Sequence, residues 1–389
     1  MTAGPAGWAA SGAMALTGDP GGPPLAPVGD LTGAIDGMAG ELARLTGVVV
    51  DGPALLGERA ALRRLRRGGR WACGGRTRLV RCVDGWLAVA LPRPEDERSV
   101  PAWLGHEAVG PVWPVIEEAL ADRLVDEMVE RAGWLALPVG ALPDDPAPVT
   151  SPPPWRRTGR PGRPRGLAGL AVADLSSLWA GPLCAGLLAA GGSAVTKVES
   201  RSRPDGARRA SRRFWRLLNG AKAERVVALG ELRDEVDAAD VVVLGARRRA
   251  YEQLGIDIDD VLAARTDKVV VAITGHGWDD GRVGFGDDAA VAGGLVARHP
   301  DDAEPRFLAD AVADPLTGLH AAVAAAGSVL EGGRWFVDVS LAGVAASLAP
   351  AAGTDRPARA ATRRGRRWVL DDVPVAPPRA RPDARPPGP

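Results

Sequence analysis

Lysine is nearly absent from this chain. Of 48 basic residues only Lys197, Lys222 and Lys268 are lysines, so arginine serves wherever a generic cation will do. Cysteine is as sparse: Cys73, Cys82 and Cys184 are the whole set. An odd, thin count in a long chain excludes a disulfide framework and fits a reducing compartment. Three scattered cysteines and four histidines give no zinc spacing, and no metal is expected. No apolar run reaches the ~20 residues of a membrane span. The N-terminus has no charged segment followed by an apolar core, so no signal peptide is expected and the cytoplasm is the expected location. Basic and acidic residues balance at 48 each, which disfavours nucleic acid or an anionic membrane as a general partner. What is abundant is core material: 46% of 389 residues are hydrophobic, enough for two or three domains.

The most informative stretch runs from Gly169 to Ser200. An apolar run, Leu170 to Leu175, reads as a buried strand and meets a turn at Ala180-Gly181-Pro182. A small-residue helix follows from Leu183, stops at Gly191-Gly192, and gives way to a second apolar strand carrying Lys197 and Glu199. Strand, helix, strand in that order is a βαβ unit over a parallel sheet. Pro182 suits a first helical turn and the paired glycines suit its end. A helix start of this kind leaves backbone N–H groups free for a phosphate or carboxylate. Cys184, just inside that helix, reads as a small packed residue.

Further blocks follow in order: Arg203-Pro204-Asp205-Gly206 with Arg208; Leu218-Asn219-Gly220-Ala221-Lys222; Ala239-Asp240-Val241-Val242-Val243; Tyr251-Glu252-Gln253-Leu254-Gly255; and Ala272-Ile273-Thr274-Gly275-His276-Gly277. With the βαβ unit, this series resembles the family III CoA-transferases, the group of formyl-CoA transferase, carnitine CoA-transferase and α-methylacyl-CoA racemase. The resemblance implies an α/β fold, a Rossmann-like parallel sheet beside a smaller α+β lobe. It implies coenzyme A as a substrate rather than a resident cofactor, with an acyl-CoA and a carboxylic acid as partners. It places coenzyme A at Ala180, Gly181 and Pro182, with Lys222 for a phosphate and His276 over the thiol arm. It also implies a homodimer, because family members interlock. Arg247, Arg248 and Arg249 stand where the chain departs from the family, and read either as a site for the 3′-phosphate or pyrophosphate or as a solvated basic turn.

Composition divides the chain. Residues 1–47 read as a loop followed by a helix, 48–140 as a small α+β lobe, and 141–165 as a Pro/Arg-rich linker. Residues 166–350 read as the Rossmann-like domain and 351–389 as a largely disordered Pro/Arg-rich tail. The Leu31-Thr32-Gly33 that opens the helix-like segment Asp30 to Leu45 recurs at Leu316-Thr317-Gly318 in Pro315 to Leu330, each time after a loop. This is the mark of a partial internal repeat, with the family's halves in reversed order.

The family's chemistry requires an aspartate nucleophile and a mixed-anhydride intermediate. The resemblance puts that aspartate before a Gly-Pro-Pro-like turn and twelve residues ahead of a second one. Asp302, before Ala303-Glu304-Pro305 and twelve residues ahead of Asp314, is the candidate. Asp287-Asp288 read as carboxylates at a helix start, and Asp314 before Pro315 as an N-cap. Two alternatives remain. A racemase-like reading needs a histidine where Phe285 stands, with Asp314 as the partner acid. A non-catalytic coenzyme A binder fits the altered turn after Asp302.

Overall fold

The computed structural model describes residues 4–107, 109–144, 155–350 and 357–382. The first long helix, α1 (Leu31–Thr46), starts at an Asp30 cap and ends at Gly47 in the left-handed region. A short helix, α2 (Glu58–Arg63), precedes an antiparallel pair, β1 (Thr77–Arg81) and β2 (Trp86–Ala90). Helix α3 (Val125–Trp134) and strand β3 (Val139–Ala141), paired to β2, complete this lobe. Its own core gathers Leu87, Val89, Trp103, Ile116 and Leu120.

The segment expected to be a linker contributes a strand. Residues Trp155–Arg160 form β4, which pairs antiparallel with a later strand of the main sheet. Residues 145–154 lie outside the described residues. The chain then builds β5 (Ala171–Leu175), α4 (Ala180–Ala190), β6 (Ala194–Ser200), β7 (Ala223–Val227), β8 (Val241–Leu244) and β9 (Lys268–Thr274). Helix α5 (Gly286–Ala292) and the short hairpin β10 (Val296–Arg298) with β11 (Pro305–Phe307) lead to α6 (Ala313–Glu331) and β12 (Arg334–Ser340).

The sheet has seven strands in the order β4-β12-β9-β8-β5-β6-β7, all parallel except β4. The chain therefore runs from β5 outward to β7, returns to the middle, and runs from β8 outward the other way. The carboxyl ends of β5 and β8 form a topological switch point, where open α/β sheets bind ligands. The expected Rossmann-like sheet with a smaller α+β lobe is present.

Helix α6 is alanine-rich and almost wholly buried, packed between α4 and α1. Small residues allow this close approach: a Cβ at Gly318 would sit 2.7 Å from the Ala180 carbonyl oxygen. Leu31-Thr32-Gly33 and Leu316-Thr317-Gly318 thus lie near the starts of two helices that pack on one another. The tail does not hang free where it is described. Arg359–Ala360 pairs with Leu25–Ala26, and a three-stranded antiparallel patch follows. The Ala376 N–H donates to the Ala9 carbonyl over 2.8 Å, and Arg379 pairs with Asp51 at 2.6 Å. Residues 351–356 and 383–389 lie outside the described residues.

Candidate active site

A cleft of about 250 Å³ opens over the switch point. Ser176, Ala180, Gly181, Gly245 and Thr274 form its floor, and Asp314 reaches it from the first turn of α6. Arg93, Arg203, Arg247 and Arg282 stand around it. Trp179, at the N-cap of α4, makes no side-chain cap, and the first residues of that helix, Ala180 and Gly181, line the cleft at its partial positive end.

Beneath this cleft lies a charge cluster assembled from distant parts of the chain, with Asp310 fully buried and Arg59, Asp287 and Asp314 half-buried. Arg59 of α2 grips Asp310 with two hydrogen bonds, Nε to Oδ2 at 2.9 Å and Nη2 to Oδ1 at 2.6 Å. The same guanidinium lies 5.0 Å from the centre of the Trp179 ring. Asp287 of α5 accepts from the Ala311 N–H at 3.0 Å and from the Thr77 hydroxyl at 3.5 Å. Asp314 accepts from the Ala180 N–H. Ala309 and Ala311 flank Asp310 with φ of 49° and 46°, a left-handed backbone that an alanine adopts only at a cost of about 1–3 kcal/mol. The strained loop delivers Asp310 to Arg59 and turns the chain into α6 at Asp314.

One guanidinium thus faces three carboxyls. Burial pushes the Asp314 carboxyl up to about 7. Arg59 opposes that rise, while Asp287 and Asp310 add to it. Burial likewise lifts Asp287 to about 6, against Arg59 and with Asp310. Asp288 is pushed well above the carboxylate range, chiefly by burial. Its Oδ1 accepts the Phe285 N–H at 2.9 Å, which makes it a helix-start carboxyl as expected. Gly286 admits Asp314 to the cleft: a Cβ there would fall 2.2 Å from Asp314 Oδ2.

The residues singled out from sequence are only partly brought together. Ala180 and Gly181 line the cleft, and Pro182 is buried in the same helical turn. Lys222 is buried below it. Its ammonium donates at 2.8 Å to Asp174 Oδ2, the Pro182 carbonyl and Asn219 Oδ1, so its three donors are used inside the protein. Burial disfavours charge on Asp174, but Lys197 and Lys222 hold its carboxyl below the usual range. Arg247 lines the cleft and donates to the Gly281 carbonyl at 3.0 Å. Arg248 is exposed and bridges Glu252 and Asp279. His276 stands behind the cleft with Nε2 facing Gly284 and no hydrogen-bond partner. Burial, with Arg282 nearby, lowers it to about 4.

Asp302 sits apart, in the turn between β10 and β11. Its Oδ2 pairs with Arg306 at 2.7 Å and its Oδ1 accepts the Glu304 N–H at 2.8 Å. Partial burial opposes ionisation there, but Arg306 and the Glu304 N–H hold the carboxyl below its ordinary value. Arg306 also grips Asp19 at 2.8 Å, which ties the N-terminal loop to this hairpin. Arg59, Thr77 and Asp310 carry no motif and are visible only in three dimensions. Asp314 had a signal, its place before Leu316-Thr317-Gly318; it is not the N-cap expected, because Val312 holds that position and Asp314 lies within the first turn of α6.

The chain is thus an α/β protein whose cleft at the switch point has a helix start on one side and a half-buried carboxyl on the other. The model of CoA-transferase family III matches residues 167–376, more than half of the chain, and the chain belongs to that family. Among solved structures it is similar to a CaiB/BaiF family protein from Brucella suis, at 24% identity and a TM-score of 0.44, covering 48% of this chain and 56% of that one. It is also similar to the hypothetical protein Rv3272 from Mycobacterium tuberculosis, at 25% identity and a TM-score of 0.43, covering 48% and 57%. The chain thus spans little more than half the length of these relatives. No curated protein matches it. Among the described residues no helix is long and apolar enough to cross a membrane, and no group of His, Cys, Asp and Glu has the makings of a metal site.

Proposed function

We propose that the protein moves coenzyme A from an acyl-CoA to a free carboxylic acid, with Asp314 as the carboxylate nucleophile. The observation that carries this reading is the placement of Asp314, half-buried in the wall of the cleft beside Ala180, the first residue of α4. Asp302, the candidate from sequence, already spends its carboxylate on Arg306 at an exposed turn.

The Asp314 carboxylate attacks the thioester carbonyl and expels coenzyme A thiolate, leaving an acyl-aspartyl anhydride. The thiolate attacks the aspartyl carbonyl, releasing the first acid and forming an aspartyl-CoA thioester. The acceptor carboxylate attacks that thioester to form a second anhydride. Thiolate then attacks its acyl carbonyl, which yields the new acyl-CoA and frees Asp314. Each tetrahedral oxyanion is stabilised by the N–H groups at the start of α4. A carboxyl near pH 7 is ionised often enough to attack, while burial keeps it weakly solvated and reactive.

A racemase reading has less support. Phe285 stands where an imidazole is needed, and His276 faces Gly284 behind the cleft. Arg59 and Thr77 come from the same chain as Asp314, so this cluster does not need the homodimer expected from the family. Light scattering decides whether copies associate. The free cysteines and thiol chemistry agree with a cytoplasmic setting. The test is coenzyme A transfer across a panel of acyl-CoA and acid pairs. Asp314→Asn should abolish turnover and Asp302→Asn should keep it. The reverse result would return Asp302 to the site. A wild type that binds coenzyme A yet transfers nothing would make the chain a binder.

A further inference from the structure

A second cleft, of about 520 Å³, adjoins the first and shares Arg247 and Arg282 with it. Its far wall is Trp134, the last residue of α3 in the small lobe. That indole is 74% exposed. Among the described residues it makes no ring or cation contact. The turn beyond it is held firmly. The Arg93 guanidinium donates to the Ala136 carbonyl at 3.1 Å and lies 5.8 Å from the centre of the Phe285 ring. Trp134 is therefore an aromatic face left open at a fixed place, opposite Arg247, Arg248 and Arg249.

The charge beside it is not neutralised. Arg248 has Glu252 and Asp279 as partners, but Arg247 and Arg249 form no ion pair among the described residues. Burial, followed by the neighbouring charges of Arg93 and Arg249, makes the Arg247 guanidinium easier to deprotonate than usual. Glu252 and Asp279 are taken up by Arg248, which leaves Arg247 and Arg249 as the cations without an ion pair. An open aromatic plane with uncompensated guanidinium groups fits a base carrying phosphates: the ring stacks and the arginines fork phosphate oxygens.

We infer that Trp134 is the stacking platform for the adenine of coenzyme A, with Arg247 and Arg249 on the phosphates of the same nucleotide end. This rests on the transfer reading above. A thioester held over Asp314 would extend its arm past Arg247 into the second cleft, so the small lobe and the sheet domain clamp one ligand between them.

The experiment titrates adenosine 3′,5′-bisphosphate, coenzyme A and pantetheine into wild type, Trp134→Ala, Trp134→Phe and Arg249→Ala by calorimetry. Trp134→Ala should weaken the bisphosphate and coenzyme A by about tenfold or more. Pantetheine affinity should stay constant, and Trp134→Phe should recover most of the loss. Arg249→Ala should weaken both phosphate-bearing ligands but not pantetheine. Wild-type bisphosphate affinity in Trp134→Ala overturns the platform. A wild type that transfers coenzyme A but does not bind the bisphosphate also overturns it and leaves the transfer reading intact. A wild type that binds the bisphosphate through Trp134 but transfers nothing supports the platform and sinks the transfer reading.

Discussion

Asp314→Asn should make the protein more stable at neutral pH while removing its activity. The folded-state value of about 7 lies above the ordinary 3.8 of an aspartate, and burial is the largest cause. Below about pH 4 the carboxyl is protonated in both folded and unfolded chains and contributes no difference. Between about pH 4 and 7 the unfolded chain ionises first, so stability falls as pH rises. Above about 7 the folded chain carries the full cost of a buried charge. The gap between about 7 and 3.8, at about 1.4 kcal/mol per tenfold change in proton affinity, comes to about 4 kcal/mol. Asparagine cannot ionise, keeps an oxygen for the Ala180 N–H, and leaves Arg59 with both of its bonds to Asp310. Urea unfolding followed by tryptophan fluorescence, at about pH 5 and about pH 8, reads the difference. The variant should gain up to about 4 kcal/mol over wild type at the higher pH and much less at the lower. Equal stability at both values, or a loss at the higher pH, would refute the view that Asp314 is a strained, buried carboxyl.

Further outcomes follow from other contacts. Arg59→Met removes the partner of a fully buried Asp310 and should destabilise the fold by about 3–5 kcal/mol, read by the same denaturation. Lys222→Met strands Asp174 in the core and should cost a similar amount, with coenzyme A affinity in the folded fraction unchanged; a selective loss of affinity would restore Lys222 to the ligand. Gly286→Ala drives a methyl into Asp314 Oδ2 and the Ala311 carbonyl, and should abolish transfer while circular dichroism shows a folded chain. Asp302→Asn weakens a pair whose Arg306 side is buried but keeps Asp19 as its other partner, so the loss should stay near about 1 kcal/mol and the melting temperature should move little.

The sheet was legible because its strands are short apolar runs broken by glycine and helix starts, and parallel order follows from strand–helix alternation. Residues 155–160 escaped because β4 is an arginine-rich edge strand whose side chains are mostly exposed, so no hydrophobic pattern marks it. The tail escaped for a related reason. Its order comes from packing onto distant segments, as where Pro378 lies against Gly12, and composition does not report that. The turn at Ala180-Gly181, proposed to meet coenzyme A, was readable as a helix start. The Arg59–Asp310 pair spans 251 positions and leaves no local trace. Lys222 was visible as a rare lysine in a family-like block, yet three internal acceptors around it emerge only from the fold. Asp302 and Asp314 look alike in sequence. What separates them is place: Asp302 stands in an exposed turn against Arg306, while Asp314 is half-buried in the cleft.

The most direct test of the account is to find the covalent intermediate. Wild type is incubated with an acyl-CoA, quenched with hydroxylamine, digested with trypsin and read by mass spectrometry. Cleavage at Arg298, Arg306 and Arg334 puts Asp302 on the peptide 299–306 and Asp314, with Asp310, on 307–334, and fragmentation separates the last two. The account expects an aspartyl hydroxamate at Asp314, dependent on acyl-CoA and absent from Asp314→Asn. A hydroxamate at Asp302 or Asp310, or transfer activity with no adduct at Asp314, would contradict it.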